Sequence, residues 1–534
     1  MISRHSQRVA FVGGRVWTPG YSSPRSLDVL VDGERIVDVA RAGELDVESA
    51  SVHDIAGRLL MPGFQDAHIH PGIGGEDLLG CNLADLNSPD QVFAAIDRYS
   101  RDNPDLDWII GGGWLRDVFP PEGPTRQQLD PLVEGRPAFL SPYDRHGAWV
   151  SSAVLEHAGV DERTPDPLGG WFTRDTAGLP TGMVEENALA ILRAAIPPST
   201  LQDRQRALLR AQDYLLSLGI TSIQDALVGT GLGMLDQHDA YCALLADGRL
   251  RLRLTTALWW DPSRGTDQIA DLQRRRALLE ASAGPDRVIA DTVKVMVDGA
   301  NVLFLDARQV RDATVALDEA GFTAHYHSYG EASTGWILDA VAQARRLNRP
   351  GPRRFHIAHL MVVAGDDFAR FPGLDVTANV QGFWGDSDVP HHLLGLTTCS
   401  DDPQCREYPF GRLHAAGARL AAGSDWPVST PDPFEAARVA AGRPRRDEAN
   451  GSQAGAAGVD ELDRLDPVAL FTAFTAGSAH VNGRAASTGR IAKGFLADLV
   501  VVDCDPFAGG TALEGAAVGQ TWISGQLEYE RAAG

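Results

Sequence analysis

Between about residues 64 and 426 the chain repeats one pattern. A short run of apolar and β-branched residues is followed by a longer stretch with apolar positions at helical spacing. The short runs are 64–70, 220–226, 252–260, 291–299, 322–328, 353–360, 375–382 and 418–426; 200–218 and 333–347 are examples of the helical stretches between them. Eight strands alternating with helices predict parallel βαβ units and, at that number, an α/β fold of the (β/α)8 TIM-barrel type over 61–480. Doubly wound sheets alternate too, but no Gly-x-Gly-x-x-Gly turn follows the first run.

The spacing is uneven in one place. About 150 residues separate the first run from the second, far more than a crossover needs. Strand-like runs at 108–114 and 137–143 and a helical pattern at 184–195 make this stretch an inserted subdomain at about 75–195, expected to overhang the C-terminal end of the first strand. Short alternating runs broken by Gly and Asp occupy 8–60 and recur at 497–503 and 520–524. They predict a small β-sandwich domain built from both termini, residues 1–60 with 481–534. Residues 442–458, rich in Gly, Ala and charge, read as a loop.

Composition narrows the class. At 534 residues, with 44% hydrophobic and 22% charged residues, the chain has the balance of a soluble globular protein too long for one ordinary core. Its net charge of −23 argues against nucleic acid or an anionic membrane as partner. A small-molecule substrate and possible homo-oligomer are the expected partners. Five scattered cysteines without a Cys-x-x-Cys pair fit buried thiols in a reducing compartment. No apolar run near the N-terminus has signal-peptide character, and none approaches the roughly 20 residues of a membrane helix. The expectation is a cytoplasmic protein.

Active groups in a barrel sit at the C-terminal ends of its strands. The first run ends in His68-Ile69-His70, two imidazoles on one face of a strand. The fourth carries Lys294, the fifth ends in His327, the sixth in His359, and the eighth in Asp425 of Gly-Ser-Asp-Trp. Four imidazoles and a carboxylate at one mouth form a nitrogen and oxygen donor set suited to Zn2+ and related divalent ions.

Several ordered motifs carry a resemblance. They are Pro62-Gly-Phe-Gln-Asp-Ala-His-Ile-His-Pro71, Asp144-Arg-His-Gly-Ala-Trp-Val150, Lys294-Val-Met-Val-Asp-Gly299, His327-Ser-Tyr-Gly-Glu331, Ala358-His359, Gly423-Ser-Asp-Trp-Pro-Val428 and the tail Gly489–Asp498. Together they resemble the amidohydrolase superfamily, and within it the amidohydrolase-3 branch of YtcJ-like proteins. The resemblance implies a hydrolase with one or two metal ions, zinc or alternatively iron or manganese. His68, His70 and Asp425 would hold one ion, His327 and His359 a second, and Lys294 would bridge them as a carbamate. A lysine inside Val-Lys-Val-Met-Val is desolvated, which lowers its pKa and leaves a nucleophilic amine; the plain alternative is an ammonium paired with a carboxylate.

The reaction implied is cleavage of a C–N bond in an amide, N-substituted formamide or cyclic amide by a metal-activated hydroxide. Asp425 would accept the proton and pass it to the leaving nitrogen, and His146 would help polarise the carbonyl. Asp66 reads equally as a residue orienting a ligand histidine and as a turn residue. His325 and His356 read as structural core histidines, the latter on the strand face opposite His359. Glu186 reads as a solvent-facing helix residue. Trp114, Trp149, Trp384 and Trp426 lie in or beside motif loops, where aromatics can line a pocket or pack the insert; Trp149 and Trp426 are assigned to the substrate pocket.

The chain departs from the family pattern at Ala358, where Glu is usual, at Glu331, where Asp is usual, and at Gly382, where Pro is common. These positions bear on the substrate, not on the ligand set. The rival reading is a mononuclear deaminase of an aminated heterocycle. Ester cleavage or isomerisation on the same barrel, and ligand binding without turnover, are the other classes.

Overall fold

The computed structural model describes residues 8–84, 86–142, 147–167, 169–232, 234–299, 302–349, 351, 353–385, 406–442, 461–509 and 511–532. Eight strands form one parallel sheet in strict chain order. They are β1 (Phe64–Ile69), β2 (Ile220–Val228), β3 (Arg253–Trp259), β4 (Val288–Met296), β5 (Thr323–Ser328), β6 (His356–His359), β7 (Thr377–Val380) and β8 (Leu420–Ala422). Almost every residue in them is buried on both faces, as parallel strands covered by helices require. The fold is therefore the (β/α)8 barrel.

The sheet closes through its last and first strands. Just past β8, the Asp425 N–H donates to the His68 carbonyl at 2.7 Å, and the His70 N–H donates back to the Trp426 carbonyl at 2.9 Å. The strands approach so closely here that a Cβ on Gly423 would lie 2.5 Å from the His68 Cβ. Only glycine allows that approach.

Local sequence sets the helices between strands. Ala307–Glu319 begins with a capping box: Asp306 Oδ1 accepts from the Gln309 N–H at 2.8 Å, and Gln309 Oε1 accepts from the Asp306 N–H at 2.9 Å. Glu331–Leu347 buries Ile337, Leu338, Val341 and Ala344 on one stripe and ends with Arg345 and Arg346, where cations favour the negative end of the helix dipole.

Chain segments from both termini form two further sheets. One joins Arg35–Arg41, Leu27–Asp32, Arg8–Val12 and Ser51–Asp54; the other joins Arg15–Val16, Leu59–Pro62, Leu499–Val502, Val518–Ile523 and Gln526–Glu530. Phe11, Val29, Val31, Leu60, Leu499 and Trp522 share one apolar core. A buried ion pair ties these sheets to the barrel: Arg253 of β3 donates through Nε and Nη2 to Asp498 at 2.5 and 2.8 Å. Its bidentate geometry satisfies both charges away from water.

The chain divides into two compact units, Met1–Pro71 with Gln212–Gly534, and Gly72–Ala211. The second holds a six-stranded mixed sheet in the order Gly170–Arg174, Pro180–Glu186, Gly147–Val150, Ala138–Pro142, Ile109–Trp114 and Cys81–Asn82. The helical reading of 184–195 needs correction. Residues Pro180–Glu186 pair on both sides within this sheet, and only Leu189–Arg193 is helical. Glu186 is thus an exposed strand-end residue with φ +53°.

Candidate active site

The inward positions of the barrel strands bring six polar residues together at the C-terminal ends. His68 and His70 come from the end of β1, Lys294 from β4, His327 from β5, His359 from β6, and Asp425 from just past β8. All are buried. His68 Nε2 lies 3.3 Å and His70 Nε2 3.2 Å from the same Asp425 oxygen, Oδ1. His359 Nδ1 approaches the other oxygen, Oδ2, at 4.0 Å. One donor atom from each of His68, His359 and Asp425 falls within 4.8 Å of the others. The His327 and His359 rings lie edge to face, with centroids 4.2 Å apart.

His359 reaches this cluster because β6 stops alternating at its last residue. Its φ of +77°, followed by +51° at Leu360, lies in the left-handed region that non-glycine residues seldom occupy. That turn brings the His359 ring inside although His356, three residues earlier, also points inward; the expectation that the two face opposite ways is overturned. The turn is held by the His359 N–H donating to Gln381 Oε1 at 2.8 Å. Trp384 then stacks on the ring, 5.0 Å between centroids and 10° between planes. Asp425 is also left-handed, at φ +56°. Such strain persists where the surrounding structure over-determines it, as at functional sites.

Burial governs the charges. It holds the imidazoles of His68 and His327 well below their ordinary range and lowers His359 to about 3. It lowers the Lys294 ammonium to about 8, with Asp425 pulling the other way. For Asp425 burial pushes upward, but contact with His70 and the nearby His359 and Lys294 outweigh it, so the carboxyl sits below its ordinary value. Asp66 behaves differently. Burial raises it to about 7, against hydrogen bonds from Ser424 and the His68 backbone.

Around the cluster lie Asp66, for which the sequence leaves an orienting role and a turn role open, and three polar residues to which it assigns no role, Asn379, Gln381 and Asp298. Asp66 Oδ1 accepts from the His68 N–H at 3.0 Å. Asn379 of β7 donates to the Ala67 carbonyl at 2.9 Å, and Gln381 donates to Asn379 Oδ1 at 3.3 Å. Asp298, after β4, accepts from the Tyr329 and Gly330 N–H groups at 2.9 and 2.8 Å, which sets the Tyr329 ring 4.3 Å from His327. Inward-facing Asn and Gln inside apolar strands were the available signal.

The remaining expectations divide. Trp149 is not a pocket residue: its side chain is fully enclosed within its own unit among Phe93, Trp114 and Phe119, and its indole N–H donates to the Thr125 carbonyl at 2.9 Å. No ring face is left for a substrate. Trp426 adjoins Asp425 and packs on Tyr214 at 5.5 Å. His146 lies outside the described residues.

Comparison with known proteins agrees with this arrangement. Residues 51–529 match the amidohydrolase family. The chain is 27% identical to the putative amidohydrolase YtcJ of Bacillus subtilis, over 92% of each chain. It is also 27% identical to an N-substituted formamide deformylase of Arthrobacter pascens, over 94% of this chain and 95% of that one. Among solved structures, an uncharacterized metal-dependent hydrolase from Pyrococcus furiosus superposes with a TM-score of 0.71 at 21% identity, covering 94% of this chain and all of the other. No helix among the described residues is long and apolar enough to cross a membrane. The family match spans nearly the whole chain, both flanks of the site included: this protein belongs to the amidohydrolase family and is a hydrolase.

Proposed function

We propose that the protein is a divalent-metal-dependent hydrolase that cleaves the C–N bond of a small amide, N-substituted formamide or cyclic amide. One observation carries the reading. Among the described residues, His70 Nδ1, His327 Nε2 and His359 Nδ1 are buried without a hydrogen-bond partner, beside a carboxylate on which two further imidazole nitrogens converge. Leaving a buried polar atom unsatisfied costs about 1–3 kcal/mol. Imidazole and carboxylate donors without protons of their own to share are what a divalent cation requires.

His68, His70 and Asp425 would hold one cation, and His327 and His359 a second. Zinc is the proposed ion, with iron or manganese as the alternatives. A cation bound there supplies Lewis acidity, polarising an amide carbonyl and acidifying water to a pKa of roughly 7. Asp425, ionised because its pKa is held down, takes up the proton of the attacking water and returns it to the leaving nitrogen. Trp384 and Gln381 fix the plane and backbone of His359, and Trp426, next to Asp425 in the chain and packed on Tyr214, would line the substrate side. Lys294, its amine partly neutral near pH 8, adds through Nζ to the carbon of CO2 and loses a proton. The product is a carbamate, which would offer anionic oxygen donors to the cations in place of an ammonium.

The formamide deformylase relative supports the choice of bond. The free thiols of Cys81, Cys242 and Cys504 support a reducing, cytoplasmic setting. The tight grouping of His68, His359 and Asp425 alone favours a second reading, a single cation and deamination of an aminated heterocycle.

Metal analysis of protein purified without chelator, paired with a panel of N-substituted formamides and amides, tests the proposal. Two ions per chain, fewer in Lys294→Ala, with turnover lost to chelator and restored by metal, is the expected result. One ion indifferent to Lys294, with turnover confined to aminated heterocycles, selects the deaminase. Protein that binds no metal overturns both.

A further inference from the structure

Behind His68 runs a row of buried imidazoles. His68 Nδ1 lies 2.8 Å from His325 Nε2, and His325 Nδ1 lies 2.8 Å from His356 Nε2. His356 Nδ1 lies 2.7 Å from the Arg354 carbonyl oxygen. All three rings are buried, and the sequence places them on β1, β5 and β6. The row crosses the barrel and ends on backbone.

We propose that His325 and His356 are positioning residues that fix the tautomer of His68, so that its Nε2 presents a lone pair, not a proton, to the metal site. The inference rests on the metal-dependent reading above and follows from the far end of the row. A carbonyl oxygen only accepts, so His356 Nδ1 carries the proton and its Nε2 is the acceptor. His325 must then donate from Nδ1, which leaves His325 Nε2 as acceptor. His68 in turn donates from Nδ1, and its Nε2 is bare. No carboxylate among the described residues contacts His325 or His356, and an unpaired imidazolium this deeply buried is unfavourable, so each ring carries one proton.

The consequence appears at the other end. His68 Nε2 lies 3.3 Å from Asp425 Oδ1. With Nε2 bare, a lone pair faces a carboxylate oxygen, an arrangement that repels unless a cation lies between them. A ligand histidine oriented by a partner on its second nitrogen is general in metal sites. Here the partner is itself oriented by a third ring, and the whole row is set by one main-chain carbonyl.

Gln224 of β2 sits at the centre. Its amide Nε2 donates to the Ala67 carbonyl at 3.1 Å and has one hydrogen left, with His356 Nε2 at 2.9 Å. It also lies against His325 Nδ1. Aimed at His325 instead, that hydrogen would make His325 Nδ1 an acceptor, facing the His356 Nε2 lone pair at 2.8 Å. That pattern reverses the row and protonates His68 at Nε2. The two patterns are therefore opposite at an observable atom.

Nitrogen-15 NMR of metal-free protein labelled at histidine reads that atom directly, with the His68 signals assigned by their loss in His68→Gln. The proposal expects His68 protonated at Nδ1 and bare at Nε2; a proton on Nε2 overturns it whether or not any variant folds. Zinc affinity, measured by competition with a chromophoric chelator, provides the second readout. His356→Phe removes the acceptor at similar volume and should weaken zinc binding about 10- to 100-fold, the usual effect of losing an outer partner of a ligand. His356→Gln returns a carbonyl acceptor near the lost Nε2 and should recover most of that affinity. Folded His356→Phe with wild-type affinity overturns the proposal while the metal reading stands; wild-type protein that binds none of zinc, iron and manganese overturns the metal reading itself.

Discussion

Asp66 holds the backbone of Ser424, accepting its N–H at 3.1 Å on Oδ1 and 3.2 Å on Oδ2, while Oδ1 also receives the His68 N–H. One carboxylate thus spaces the segment bearing Asp425 against the strand bearing His68. Replacing Asp66 by Ala strips two buried N–H groups of their acceptor, at about 1–3 kcal/mol each. Asp66→Asn keeps one oxygen and should lose less. Denaturant midpoints measure both, and an unshifted midpoint in Asp66→Ala would remove this clasp from the account.

Asp425→Asn should lower kcat about 100- to 10,000-fold, the usual range for a lost general acid–base group. Turnover of an N-substituted formamide by metal-reconstituted protein is the measurement, with circular dichroism to show the fold is intact. Near-normal kcat would take the proton-carrying role away from Asp425.

His480, on the helix Ser478–Val481, meets Arg419 Nη1 through Nε2 at 2.9 Å. Burial first, and Arg419 second, lower its pKa from 6.5 to about 4. The folded protein therefore binds this proton less readily than the unfolded chain. The stability from His480 is fully present above pH 6.5 and is lost as pH falls through 6.5 towards 4. His480→Gln keeps an acceptor for Arg419 and cannot take up a proton. Its melting temperature should vary less across that window than the wild type's, and parallel curves would disprove the assignment.

Trp149→Ala should destabilise the Gly72–Ala211 unit by about 3–5 kcal/mol, as a large buried aromatic does when truncated. Trp149→Phe should cost less. Limited proteolysis with peptide mapping reads the effect: new cleavage confined to this unit is expected, and an unchanged pattern would contradict its role as core.

The barrel was legible in the sequence because parallel strands buried on both faces leave short apolar runs, and all eight runs became strands of one sheet in chain order. Their ends were legible too, and they place the histidines at the mouth of the barrel. What could not be read was any departure from regular alternation. His359 faces inward only because its backbone turns left-handed against Gln381, a contact between two strands. The partners of His325 are equally hidden, since His68 lies 257 positions away and Gln224 lies 101 away. Trp149 misled for a related reason. Standing beside a motif says nothing about which way a ring points, and its strand turns it into a core.

The closeness of Gly423 to His68 places the last join of the sheet at the proposed metal-binding groups. Every other strand is gripped by ladder bonds on both edges, whereas this junction is sewn by the bonds at His68 and His70. Heat or denaturant that first loosens the seam will therefore part Asp425 from the paired histidines while most of the barrel still stands. On the proposed metal-dependent reading, release of the ion would then precede loss of helical signal on melting, and the ion would report the integrity of the cylinder.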